Sequence, residues 1–184
     1  MGGGTKNGNT SKLAESFSGG AMRAGHTVNV AFLGDKDIQG CRGCGACRYG
    51  KPCIVNDYMQ EVYPLYNECD MVVLASPLYF WTISARTKAF LERLYATAQE
   101  DPNPPKGRYE RFAEKDCALL MTSEDDLFWT FEQAVSYYRF NCLNYLGWND
   151  RGMVLAGGCG GSTTKKCIEE TKWLTRAFEF GRSL

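Results

Sequence analysis

The sequence holds a single histidine, His26, and no apolar run near the roughly 20 residues that crossing a bilayer requires. One histidine at a turn between helix and strand patterns leaves no partner for a Cys–His or Ser–His nucleophilic pair. Net charge is also lacking: 21 basic residues cancel 21 acidic ones, which argues against nucleic acid and against a membrane surface as partner. No internal repeat and no low-complexity tract occurs. The opening residues are rich in Gly and Asn with no apolar stretch behind a basic start, so a secretion signal is not expected. What the chain has in excess is cysteine. Nine in 184 residues is a high and odd number, and without a secretion signal it points to metal or redox chemistry in a reducing, cytoplasmic setting, not to a disulfide framework.

The length suits one domain, residues 1–184, and strand patterns alternate with helix patterns as in βαβ units around a parallel sheet. Residues 27–33 (TVNVAFL) alternate on a β-branched frame. Residues 70–76 (DMVVLAS), 117–122 (CALLMT) and 152–156 (GMVLA) are continuous apolar runs, as expected for strands covered on both faces. Four helical stripes lie between and after them: Leu13, Phe17, Ala21 and Ala24; Ile83, Thr87, Phe90, Leu91 and Leu94; Leu127, Phe131, Val135, Tyr138, Cys142 and Tyr145; and Ile168, Thr171, Leu174 and Phe178. Each reads as a core-facing surface. Residues 99–114, with Pro102, Pro104 and Pro105, have no period and read as a surface excursion. A doubly wound sheet needs a strand before its first helix, and only residues 1–8 precede that helix. The first strand is therefore expected to be missing or to lie upstream of Met1.

Three segments carry candidate chemistry. The first, residues 2–11 (GGGTKNGNTS), runs into a helix. Its glycines admit an anion close to the backbone, Thr5, Thr10, Ser11 and Asn9 offer donors, and the helix start adds free N–H groups and a favourable dipole. It matches neither the P-loop nor the dinucleotide fingerprint, and a flexible capped terminus is the plain alternative. The second is SPLYFW, where Pro77, Leu78, Tyr79, Phe80 and Trp81 follow a strand at the edge where open α/β sheets bind ligands. A planar ring could stack there; a loop covering the core or a subunit contact would show the same residues. The third is Cys41-x2-Cys44-x2-Cys47-x5-Cys53, threaded with glycines. Four thiolates satisfy a cubane cluster, whereas zinc more often takes two separated pairs, and a free-thiol or disulfide loop is the bland reading. The acidic run Glu124, Asp125 and Asp126 reads as a helix cap.

The blocks KNGNTSKLAESF, GCRGCGACRYGKPCIVNDYMQEVY and ASPLYFWTISARTKAFLERL occur in this order and spacing, and together they resemble the flavodoxin-like NAD(P)H-dependent FMN reductase and iron–sulfur flavoprotein family. The resemblance implies a five-stranded flavodoxin-like sheet with helices on both faces, and FMN as cofactor. In that family the phosphate loop corresponds to Gly3, Thr5, Lys6, Asn9, Thr10 and Ser11. Gly3-Gly4-Thr5 stands where the family usually has Ser-Pro-Arg. The ring-bordering loop corresponds to Pro77, Leu78, Tyr79, Phe80 and Trp81, and a third loop includes Gly158. Cys41, Cys44, Cys47 and Cys53 match the compact motif of a 4Fe-4S cluster. The resemblance further implies NADH or NADPH as electron donor, a quinone, free flavin or iron–sulfur centre as acceptor, and a homo-oligomer whose second subunit completes the aromatic loop. The rival readings are a non-enzymatic electron carrier and a metal- or thiol-based regulatory protein with a vestigial flavin site.

Overall fold

The computed structural model describes residues 1–48, 51–100, 103, 110–160 and 167–184. In chain order its elements are α1 (Asn9–Arg23), α2 (Met59–Glu68), β1 (Met71–Pro77), α3 (Ala85–Arg93), β2 (Gln99–Glu100), β3 (Glu110–Arg111), β4 (Asp116–Thr122), α4 (Glu132–Tyr138), β5 (Asn149–Ala156) and α5 (Trp173–Arg182). A π-helical run, Arg139–Tyr145, continues α4, and short 3-10 turns occupy Leu94–Thr97 and Ile168–Glu170.

Strands β1, β4 and β5 pair in that order, all parallel, because each returns to the sheet through a helical crossover. Alternate side chains enter opposite layers. Val72, Leu74, Cys117, Leu119 and Met121 join Met59, Val62, Phe90, Ala134 and Tyr138 from α2, α3 and α4. Ala75, Leu120, Val154 and Ala156 join Leu13, Phe17, Ala21 and Ala177 from α1 and α5. Burial on both faces is why these strands are continuous apolar runs in sequence. The fold is the flavodoxin-like doubly wound sheet.

Residues 27–33 depart from expectation: they form no strand. The Met1 nitrogen donates to Ala31 O at 2.7 Å, Leu33 N–H donates to Met1 O at 2.9 Å, and Gly2 N–H donates to Ala75 O at 2.8 Å. The hydrogen-bonded order is thus residues 27–33, Met1 and Gly2, β1, β4, β5, the 2-1-3-4-5 order of the flavodoxin-like sheet. Met1 and Gly2 hold the carboxyl end of the first strand's place. The described bonds engage Ala31 and Leu33, and Val30 is exposed.

Helix α2 had no expected counterpart. Met59, Val62 and Tyr66 form its buried stripe, and Pro64 inside it obscures the pattern. The long stripe from Leu127 breaks: Leu127 is exposed outside the helix, and Ala134, Tyr138 and Cys142 are buried across the junction into the π-helical run. Of the expected last stripe, Ile168 is fully buried and Leu174 packs at the edge of the same cluster, while Ala177 and Gly181 are the buried residues of α5. Steric fit explains the buried glycine, because α1 and α5 touch backbone to backbone. A Cβ on Gly20 would lie 2.0 Å from Phe178 O, and one on Gly181 would lie 2.1 Å from Phe17 O. Of the excursion at 99–114, β2 and β3 form an antiparallel ribbon; Pro102, Pro104 and Pro105 lie outside the described residues.

One ion pair is fully enclosed. Arg93 Nη1 donates to Asp57 Oδ2 at 2.7 Å and Nη2 to Asp57 Oδ1 at 3.2 Å, with both side chains inaccessible to solvent. Burial alone would raise the Asp57 carboxyl, but bonds from Arg93, Gln39 N–H and Met59 N–H outweigh it and hold it below its ordinary value of 3.8.

Two outcomes follow. Gly181→Ala is expected to destabilise the fold by about 1–3 kcal/mol, because backbone atoms must separate to admit the methyl group; denaturant unfolding measures it. Since the Asp57 carboxyl is lowered on folding, its contribution is complete above the unfolded value and lost as pH falls through the folded one. Unfolding free energy should therefore decline below about pH 4, and Asp57→Asn should flatten that part of the profile while lowering stability throughout.

Candidate functional site

The sheet places its candidate site at the carboxyl ends of β1, β4 and β5. Helix α1 points its amino end there. Gly8 is the N-cap without a side-chain cap bond, and Lys12 N–H to Gly8 O at 3.1 Å is the first helical bond, so the N–H groups of Asn9, Thr10 and Ser11 precede the ladder. Two of the expected hydroxyl donors, Thr10 and Ser11, have partners inside the protein, while Thr5 is exposed. Thr10 Oγ1 lies 2.7 Å from Thr122 Oγ1, and Ser11 Oγ donates to Thr5 O at 2.9 Å. Asn9 Nδ2 donates to Cys159 O at 3.2 Å. Lys6 pairs with Asp35 at 2.9 Å and leans over the Phe32 ring, which draws its charge toward residues 32–35. The cradle offers backbone N–H groups and the exposed Thr5, with Thr10, Ser11 and Asn9 shaping it. Gly3 packs on Thr10, and a Cβ on Gly4 would meet nothing within 4 Å, so the loop stays open to an anion. These residues suit a phosphate group such as that of FMN.

The aromatic loop leaves β1 beside this cradle. Leu78 N–H donates to Thr122 O at 2.8 Å, tying the loop to the end of β4. Tyr79 and Thr82 then exchange backbone bonds at 2.9 and 3.1 Å around Phe80 and Trp81. Both central residues have positive φ, 46° and 59°. Side chains with a Cβ rarely adopt that region, and two in succession store strain of the kind found at ligand clamps. The strain presents the aromatic rings: Phe80 is 94% exposed, and Trp81 stands 6.2 Å from Trp129 between ring centres. A cavity of about 600 Å³ opens between Phe80, Trp81 and Thr82 on one side and Gln133, Tyr137 and Phe140 on the other. The loop is held from behind by α3. Its N-cap Ser84 donates through Oγ to Gly2 O at 2.8 Å and takes Thr87 N–H, while Ser84 N–H donates to the buried Ser76 Oγ at 2.8 Å.

The acidic run does not cap a helix, since the N-cap of α4 is Phe131. It forms part of the site edge. Ser123 N–H donates to Ala156 O and Cys159 N–H to Ser123 O, each at 2.9 Å, so the loops after β4 and β5 interlock. Asp126 packs so closely on Gly157 that a Cβ there would lie 2.3 Å from its Oδ1. Gly158 has φ +74°, and its N–H reaches Asp125 O at 3.4 Å. Sequence reasoning missed Thr122 and Ser123. Their signal was a polar pair closing an apolar strand.

The cysteine loop lies elsewhere, against the far end of α3. Cys41 N–H donates to Glu92 Oε2 at 2.9 Å, Gly43 N–H approaches Cys41 Sγ at 3.4 Å, and Gln60 Nε2 donates to Cys53 O at 3.2 Å. Burial pushes the Cys47 thiol up, and the nearby Cys53, Cys41 and Cys44 add to the effect. Cys41 and Cys44 are exposed, and Cys47 and Cys53 half-buried. Among the described residues no three Cys, His, Asp or Glu side chains converge in a metal-binding arrangement. The thiols share one neighbourhood without forming a ready cage. Cys117, Cys142 and Cys159 are buried; burial raises the thiols of all three.

Comparison with known proteins agrees with this geometry. An iron–sulfur flavoprotein of Archaeoglobus fulgidus is 35% identical over 89 residues, 48% of this chain and 40% of that protein, so the chain spans well under two thirds of that relative. Among solved structures, an NAD(P)H:quinone oxidoreductase from Methanothermobacter marburgensis superposes with a TM-score of 0.72 at 17% identity, covering 99% of this chain and 92% of that one. An FMN-dependent NADH-azoreductase from Bacillus anthracis, solved in complex with FMN, gives 0.62 at 13% identity, covering 98% and 91%. At those identities the structures establish the fold alone. The NADPH-dependent FMN reductase family model matches residues 1–133, which take in the anion cradle, the cysteine loop and the strained aromatic turn, and the chain belongs to that family.

Proposed function

We propose that the chain is a single-domain FMN-dependent oxidoreductase, located in the cytoplasm, that takes electrons from NADH or NADPH and delivers them to a small-molecule or protein acceptor. The observation that carries this reading is the convergence of the α1 amino end and the strained turn at Phe80 and Trp81 on one sheet edge. The N–H groups of Asn9, Thr10 and Ser11 would hold the phosphate, with the α1 dipole favouring its charge. Gly3 and Thr5 line that loop, Pro77, Leu78 and Tyr79 lead the chain past the ring, and Gly158 borders it from the last loop. Bound FMN supplies the hydride and electron chemistry, so the chain itself needs no acid–base pair. Its side chains orient the ring and keep water from one face. The 4Fe-4S cluster is a second reading, supported by the four thiols and by the name of the Archaeoglobus relative. As folded, the loop does not present that cage, and no electron step is assigned to it. Tyr79, Phe80, Trp81, Leu127 and Phe128 are exposed on the loops after β1 and β4, and these apolar side chains support a second copy as their cover.

FMN is expected to bind well ahead of riboflavin, and Thr10→Ala to weaken FMN by about tenfold, the worth of one hydrogen bond that orders the cradle. Fluorescence titration with both flavins checks this; equal affinities would remove the phosphate assignment. Mixing the FMN-loaded protein anaerobically with NADPH in a stopped-flow instrument should bleach the flavin band. A band that persists with both NADPH and NADH identifies a carrier instead of an enzyme.

A further inference from the structure

Four side chains that act on one centre must be brought together from a loop, and closing a loop costs entropy that something must offset. Here the offset does not come from the thiols. The loop has a neck, formed by Gln39 before the first cysteine and Val55 after the last. Arg93 Nη1 donates to Gln39 O at 3.1 Å and Nη2 to Val55 O at 3.1 Å, so one guanidinium spans the neck. Asp57, which holds that guanidinium bidentately, also accepts Gln39 N–H at 2.9 Å and Met59 N–H at 3.1 Å. Gln60 Nε2 adds bonds to Val55 O at 2.7 Å and Cys53 O, and Glu92 takes Cys41 N–H. Both members of the central pair are enclosed, where a fork of charge-assisted bonds is strongest and least screened. None of these bonds uses a sulfur, so the neck is closed whatever the thiols hold.

The same helix serves both ends of the molecule's chemistry. Ser84 caps α3 against Gly2 at the anion cradle, and Glu92 and Arg93 end it at the cysteine loop. Nine residues of helix separate the two by about 14 Å.

We propose that Arg93 and Asp57 are positioning residues for the cysteine loop: their ion pair closes its neck at Gln39 and Val55 and keeps Cys41, Cys44, Cys47 and Cys53 within reach of one another. The use made of the thiols rests on reading the loop as a redox or soft-metal centre; the clamp itself stands apart from that reading.

The test equilibrates reduced, FMN-loaded protein with a glutathione buffer. Each loop disulfide formed passes two electrons from two loop thiols to one glutathione disulfide and releases two glutathione thiols. Alkylation and mass spectrometry then give the effective concentration of the loop thiols toward one another. Asp57→Asn and Arg93→Met are expected to lower it by at least about tenfold, in the range seen when supporting residues of a ligand set are lost. Arg93→Lys, which keeps the charge but not the fork, should fall between them and wild type. Retained FMN shows that a variant is folded. Gln60→Met, which removes two neck bonds without touching the buried pair, should shift the value in the same direction and covers the case in which the buried variants do not fold. Folded variants with an unchanged effective concentration would overturn the clamp. Iron and sulfide analysis of anaerobically purified wild type decides the cluster separately: their absence removes the cluster and leaves the clamp standing.

Discussion

The parallel register of β1 against β4 governs the rest of the molecule. Met71 faces Asp116 and Pro77 faces Thr122, so the two strands end level, and β5 ends level with them at Ala156. Three loops therefore leave the sheet at one edge, where a parallel sheet has no hairpins and its strand ends are free to carry function. Thr122 is the junction. Its carbonyl takes Leu78 N–H and its hydroxyl meets Thr10, so the aromatic turn and the α1 amino end are both indexed to the last residue of β4.

This indexing changes what the polar residues near the cradle do. A loop rich in Thr, Ser and Asn invites the assumption that hydroxyls grip the ligand. In the folded chain Thr10, Ser11 and Asn9 spend their side chains on Thr122, Thr5 and Cys159. They fix the backbone, whose free N–H groups at the start of α1 would face a bound anion. That arrangement loses little entropy on binding, because the donors are already ordered. The strained turn at Phe80 and Trp81 follows the same logic, with the conformational cost met by the core beneath it.

The buried pair of Arg93 and Asp57 carries the other half of the architecture. A charged pair out of water is costly unless its remaining donors and acceptors are filled. Here Arg93 Nε has no partner among the described residues, and the other donors and acceptors are filled largely by the backbone at the two ends of the cysteine loop, so desolvation is offset only if that loop is closed. The need to satisfy the charges thus enforces a local chain geometry that no hydrophobic contact would specify.

Much of this was legible in the chain itself. The runs at 70–76, 117–122 and 152–156 could only be strands buried on both faces, and Leu13, Phe17 and Ala21 could only be the inner face of a helix, because period and polarity leave no other packing. The glycine-rich start, SPLYFW and the four cysteines stood out as candidate sites for the same local reason. Tertiary structure decided what local pattern cannot encode. Residues 27–33 read as a strand yet form none, since a strand exists only through the ladder its neighbours complete. Helix α5 sets Gly181 against α1, a close backbone approach that hydrophobic period alone does not encode. The acidic run after β4 joined the site edge because β5 ends beside it. Arg93 and Asp57 lie far apart in sequence, and only the fold could make them one clamp: a buried charge has no meaning until the surroundings that exclude water are in place.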